Sequence, residues 1–178
     1  MKETLILTVV GEDHPGIVNS ISKAVHDHGG NWHESQMSRL AGQFAGLMRA
    51  QVPTAQADAL REALTALSKE GLAVTVVRDK TGDEANVAQG QSLTLEVTGS
   101  DQPGIVRSIT TVLANHRVNV LELTTEVSPA PMSSHSLFKA EAKMSAPDSL
   151  DLDVLQDELE SLSHDLIIEM GVQLQVGG

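Results

Sequence analysis

Two runs of this chain carry groups that could do chemistry at a fixed spacing. They are Gly11-Glu12-Asp13-His14-Pro15-Gly16-Ile17-Val18 and Gly99-Ser100-Asp101-Gln102-Pro103-Gly104-Ile105-Val106. An Asn follows each Asp at one interval, 31 − 13 = 18 for Asn31 and 119 − 101 = 18 for Asn119. Pro15 and Pro103 suit the first position of a helix, where the N–H that proline lacks would have no partner. A helix start presents unpaired N–H groups and partial positive charge, which a carboxylate can use. Asp13, Asp101 and the side-chain carbonyls of Asn31 and Asn119 are acceptors, which an ammonium needs. Gly16 and Gly104 remove the side chain where a ligand would approach the backbone. Together these groups suit the two charges of a free amino acid. After one helix the chain should return alongside its start, so Asp and Asn are expected to flank one cleft. An architectural reading stands beside this one. Asp before a Pro-started helix is a capping arrangement worth ~1 kcal/mol, and Asn at a helix exit tolerates the left-handed backbone. His14 and Gln102 differ between the runs, so the two turns need not be equivalent.

Other groupings point to less. Gly11 and Gly16 fit Gly-x4-Gly, but Ile17 and Val18 stand where a phosphate loop needs Lys and Ser or Thr. His26, His28 and His33 crowd together, yet residues two apart on a helix do not face one way, and no metal site is expected. His28 and His116 hold the same place in the two runs and read as helix-end histidines. The acidic run from Asp148 to Asp165 reads as a solvated helix face, or as a docking surface for a basic partner. With no Cys and no Gly-x-Ser-x-Gly, no nucleophile, base and acid group together, and catalysis is not expected. No cofactor is implied.

The elements that must position these groups form a duplicated unit. Shifting the chain by 88 residues aligns Leu5–Ser38 with Leu93–Glu126 without a gap, with 14 of 34 pairs identical. Leu5, Leu7 and Val9, like Leu93, Leu95 and Val97, alternate with polar or outward residues as a strand with one buried face does. Ile17, Val18, Ile21, Ala24 and Val25 then follow helical periodicity, as do Ile105, Val106, Ile109, Val112 and Leu113. Gly29 and Gly30 can end the first helix with positive φ. Leu40 to Gln43 reads as a tight hairpin turn, and Ser128 to Ser134 as a longer loop. Second helices are expected over 57–69 and 150–163, and final strands over 72–78 and 166–176. The order is βαββαβ twice, an α+β class with two ferredoxin-like units of antiparallel sheet and helices on one face. Boundaries fall at 1–79, a polar linker at 80–90, and 91–178. One conflict remains in the pattern. Leu121, Leu123 and Val127 share a face, whereas the matching face of the first unit reads His33, Ser35 and Arg39. Either a bulge shifts that strand or the face is less buried.

Composition narrows the function classes. The net charge is -12, and it is uneven: 8 Lys/Arg against 11 Asp/Glu through Glu84, then 4 against 13. No cation cluster exists to neutralise phosphates, and only Trp32, Phe44 and Phe138 could stack bases, so direct nucleic-acid binding is not expected. The N-terminal apolar run falls short of the ~20 residues of a membrane span and lacks a signal-peptide pattern, which makes a cytoplasmic protein the expectation.

The duplicated βαββαβ pattern with Asp-x-Pro-Gly-Ile-Val at its first strand–helix junction resembles the ACT domain, a regulatory fold that binds amino acids. The longer run from Gly11 to Pro53 is similar to the tandem-ACT glycine cleavage system transcriptional repressor family. It also has a start like that of the N-terminal module of formyltetrahydrofolate deformylase. The repressor resemblance implies action through a LysR-type activator rather than on DNA, with glycine as the favoured effector. The resemblance to serine-binding ACT domains of the biosynthetic 3-phosphoglycerate dehydrogenase type implies ligand-contact roles for Asp13, Asn31, Asp101 and Asn119, within turns formed by Gly11, His14, Pro15, Gly16 and Ile17 and by Gly99, Gln102, Pro103, Gly104 and Ile105. Edge strands of such sheets pair side by side, so a homodimer or an intramolecular pair is expected. A non-sensing assembly module, or a regulator of another amino-acid pathway, is the alternative.

Overall fold

The computed structural model describes residues 1–79, 90–129 and 136–173. The chain divides into two compact units, 1–85 and 86–178. The expected linker at 80–90 lies outside the described residues except for Gly90, as do most of the 128–134 loop and the last strand beyond Gln173.

Unit 1 runs β1 (Lys2–Glu12), α1 (Ile17–Asp27), β2 (Asn31–Leu40), β3 (Gln43–Pro53), α2 (Ala57–Ala66) and β4 (Leu72–Arg78). Its sheet is ordered β2-β3-β1-β4, with β3 and β4 both antiparallel to β1. The pleat sends Leu5, Leu7 and Val9 to one side, where α1 lays Ile17, Ile21 and Val25 and α2 lays Ala57, Leu60 and Leu64 on them. Burying each such aliphatic side chain contributes roughly 1.5–3 kcal/mol. Unit 2 repeats the plan with β5 (Gln91–Ser100), α3 (Ile105–Asn115), β6 (Asn119–Pro129), β7 (Ser136–Ala146), α4 (Leu152–Glu160) and β8 (Leu166–Gln173), in the order β6-β7-β5-β8. Its core joins Leu93, Leu95 and Val97 to Ile105, Ile109, Leu113, Leu155 and Leu159.

The strand conflict resolves through a bulge. Pairing of β2 with β3 shifts between Trp32 and Glu34, and pairing of β6 with β7 shifts between Val120 and Glu122. His33 and Leu121 are therefore the extra residues, and the helix-facing sets become Trp32, Ser35, Met37, Arg39 and Val120, Leu123, Thr125, Val127. Both edge strands are also mostly exposed.

Helix boundaries differ from the periodicity at three places. Helices α1 and α3 begin at Ile17 and Ile105, two residues later than expected. Gly16 (φ 104°) and Gly104 (φ 88°) occupy the N-cap, and the prolines lie just before it. Helix α2 gives way to a 3₁₀ turn over Leu67–Glu70 that ends on left-handed Gly71. Helix α4 spans only Leu152–Glu160, because Asp151 caps it by accepting from the N–H groups of Asp153 and Val154 at 3.1 and 3.3 Å. The β2–β3 hairpin turns as expected, through Ala41 and Gly42 at φ 50° and 81°.

Beyond α1 the chain needs a left-handed residue, which Gly29 supplies at φ 67°; beyond α3, Arg117 takes that conformation at φ 58°. Left-handed backbone costs a residue with Cβ roughly 1–2 kcal/mol. Arg117→Gly should therefore raise the stability of unit 2 by about 1 kcal/mol, and Gly29→Arg should lower that of unit 1 by a similar amount, both read by urea unfolding.

Candidate functional site

Each helix-start turn is pinned to its neighbouring hairpin. The Asp13 N–H donates to Gly42 O and the Asp101 N–H to Ser136 O, both at 2.9 Å. The first helical bonds are Ser20 N–H to Gly16 O (2.8 Å) and Ser108 N–H to Gly104 O (2.9 Å). The N–H groups of Val18, Asn19, Val106 and Arg107 precede them and have no backbone acceptor among the described residues. A Cβ placed on Gly16 or Gly104 would meet nothing within 4 Å, so the approach to these donors is open. Neither Asp caps its helix through the side chain. The capping account of Asp13 and Asp101 is thereby corrected. The glycines reverse the chain with positive φ, and the carboxylates are left for other partners.

Those partners differ between the units. Asp13 Oδ2 lies 2.7 Å from Arg39 Nε, an ion pair that joins the turn to the far end of β2. In unit 2 the residue at the Arg39 position is Val127, and Asp101 has no side-chain partner among the described residues. His14 donates from Nδ1 to Pro15 O at 3.1 Å, a contact that Gln102 does not repeat.

The Asn residues lie elsewhere. Asn31 opens β2 level with Gln51, which is level with Thr4 near the start of β1. Asp13 follows the end of that strand, nine residues on. At ~3.3 Å per residue this separates them by roughly 25–30 Å of sheet. Within one unit, therefore, Asp and Asn do not flank one cleft. Asn31 Nδ2 donates to His33 Nε2 at 3.3 Å. Gly11 and Gly99 also sit apart from any opening. A Cβ there would strike Gly71 O at 2.6 Å or Asp165 O at 2.5 Å, so close backbone packing accounts for them. His28 donates from Nδ1 to Ala24 O at 2.7 Å and closes its own helix, whereas His116 Nε2 reaches Glu158 Oε2 on α4 at 3.0 Å.

One feature escaped sequence reading. In unit 2 an apolar cleft of about 20 Å³ lies under α3, lined by Val106, Ile109, Val120, Leu123 and Phe138 among others. Thr110, at its wall, already donates to Val106 O at 2.9 Å. At the corresponding places unit 1 has Trp32 for Val120, Met37 for Thr125 and Met48 for Ala142. Gly46 makes room for Met37, whose Cγ would lie 2.9 Å from a Cβ there. The signal was present in the aligned repeat, as large residues in one copy against small ones in the other.

Residues 3–77 and again 91–173 match the ACT domain. The chain belongs to the ACT-domain family. Among curated proteins it is similar to the glycine cleavage system transcriptional repressor of Escherichia coli strain K12, 25% identical over 91% of this chain and 85% of that one. A crystal structure of an unknown protein from Galdieria sulphuraria superposes with a TM-score of 0.85, at 25% identity over 98% of this chain and all of that one. A crystal structure of a candidate glycine cleavage system transcriptional repressor gives 0.70 at 19% identity, covering 97% and 98% of the two chains, and supports the shared fold. The chain thus holds two ACT units, and each first turn is the one carrying Asp-x-Pro-Gly.

Because open space surrounds Gly104, replacing it should cost backbone energy alone. Gly104→Ala should lose ~1 kcal/mol and Gly104→Asn measurably less, since Asn tolerates the left-handed region. Equal losses in thermal unfolding would show crowding instead.

Proposed function

We propose that this tandem ACT protein is an amino-acid-responsive regulator, and that it controls glycine cleavage operon expression by binding a transcription factor of the LysR type rather than DNA. The observation that carries the reading is the open helix start beside an Asp in both units: Val18 and Asn19 N–H with Asp13, Val106 and Arg107 N–H with Asp101. The donors suit the ligand carboxylate and the Asp its ammonium. A Cβ on Gly16 or Gly104 would meet nothing within 4 Å among the described residues, which leaves room at each turn for a small amino acid, glycine first. The name of the E. coli relative supports the operon. The charge of -12 and the lack of a cation cluster support a protein partner over nucleic acid.

The two turns should respond unequally. An ammonium meets Asp101 directly, but at Asp13 it must displace the Arg39 guanidinium. Unit 2 is therefore the stronger site. For unit 1 the ion pair favours a second reading, in which its turn serves assembly rather than sensing.

Thermal stability screened against the twenty amino acids tests the proposal. A ligand at ~100 times its dissociation constant adds ~2.7 kcal/mol to the unit that binds it. We expect glycine to stabilise the wild type, Asp101→Asn to abolish most of the shift, and Arg39→Ala to enlarge the contribution of unit 1. A flat response to all twenty would remove the sensing function.

A further inference from the structure

The two sheets present opposite chemistry on the faces that their helices leave uncovered. In unit 1 one cross-strand row reads Gln36, Leu47, Thr8 and Thr75, and the next reads Ser38, Ala45, Val10 and Ala73. No charged residue occurs in either row. In unit 2 the same positions read Thr124, Glu141, Glu96 and Glu169, then Glu126, Lys139, Thr98 and Ile167. The hydrogen bond to Glu141, with the charges of Glu141, Glu96 and Glu126, raises the Lys139 pKa above its usual value, a mark of how acidic that face is. Val10, Leu47 and Val77 on the unit 1 face are 46%, 49% and 57% exposed. Apolar side chains grouped this way on a flat sheet mark an interaction surface.

We propose that the outer face of the unit 1 sheet is where a second copy of this chain docks, sheet against sheet about a two-fold axis. Three observations select that occupant. The chain carries a net charge of -12, so most of its surface repels a copy of itself, and these two rows bring no charge to the contact. A two-fold contact must be self-complementary, and small and β-branched residues such as Thr8, Val10, Ala45, Ala73 and Thr75 let two pleated faces approach to the ~10 Å of stacked sheets. Four strands at ~4.8 Å by roughly 27 Å of strand give on the order of 500 Å² a copy, or about 1,000 Å² in all, which reaches the size of a specific interface. The face continues into the row of Glu34, Arg49, Ile6 and Val77, which enters the contact with its charges paired, Arg49 to Glu34 at 3.6 Å and to Asp79 at 4.0 Å.

This association uses the sheet face, β2 included, and leaves the open backbone edges of β2 and β6 out of the contact. Sedimentation velocity of the full chain over a concentration series tests it. The wild type should sediment as a dimer. Leu47→Glu places two carboxylates in the contact, one from each copy, and should weaken association ~100-fold or more. Val77→Lys, on another strand and of opposite sign, should do the same. Ile167→Glu, on the unit 2 face at the place of Ala73, should leave the dimer intact. Circular dichroism and unchanged thermal unfolding at low concentration establish that each variant is folded. A wild type that stays monomeric throughout overturns the proposal and gives the face to a protein of another sequence. A dimer untouched by both Leu47→Glu and Val77→Lys overturns it in favour of another surface, the strand edges first.

Discussion

The left-handed glycine that starts each first helix is the constraint from which the rest of a unit follows. The first strand ends at the sheet's rim, and the chain must turn back over the sheet within a few residues. Gly16 and Gly104 make that reversal with positive φ, which a residue with Cβ adopts only at a cost. The helix direction is then set, and Ile17, Ile21 and Val25, or Ile105, Ile109 and Leu113, arrive over the sheet. The same turn leaves the leading N–H groups facing solvent, so the fold and its candidate site come from one backbone feature.

Much of this was legible in residue order. Alternation in Leu5-Leu7-Val9 and Leu93-Leu95-Val97 located strands, and the 88-residue repeat made each element visible twice. The expected position of Asn31 beside Asp13 was wrong for a reason that connectivity explains. A crossover helix carries the chain back to the level where the first strand began, so the residue after the helix faces the start of β1, not its end. The capping role read for Asp13 failed differently. Spacing shows that an acid precedes a helix, but not that Arg39, at the far end of another strand, will hold it. The bulges at His33 and Leu121 were only half visible, because an extra residue moves a whole strand by one face while leaving the alternation on either side unchanged.

Comparison of the two copies shows where duplication allowed change. On the central first strand of each unit the helix-facing core is kept, with Leu5, Leu7 and Val9 matched identically by Leu93, Leu95 and Val97. Positions on the uncovered face were free, and Thr8 against Glu96 or Leu47 against Glu141 record that freedom. The interior changed where volumes could be traded. Trp32, Met37 and Met48 fill in unit 1 the space that Val120, Thr125 and Ala142 leave as a cleft in unit 2. Unit 2 keeps unfilled space beneath its first helix.

The paired bulges have a further consequence for how the chain survives in a crowded cell. A sheet edge with a long unbroken ladder of open backbone groups invites endless strand addition and fibre growth. In both units the edge strand is interrupted near its beginning, at His33 and Leu121, and charged side chains follow at once with Glu34 and Glu122. The break twists the strand and limits the register that an incoming chain could extend. Copying the unit therefore copied this protection against aggregation too, from β2 to β6.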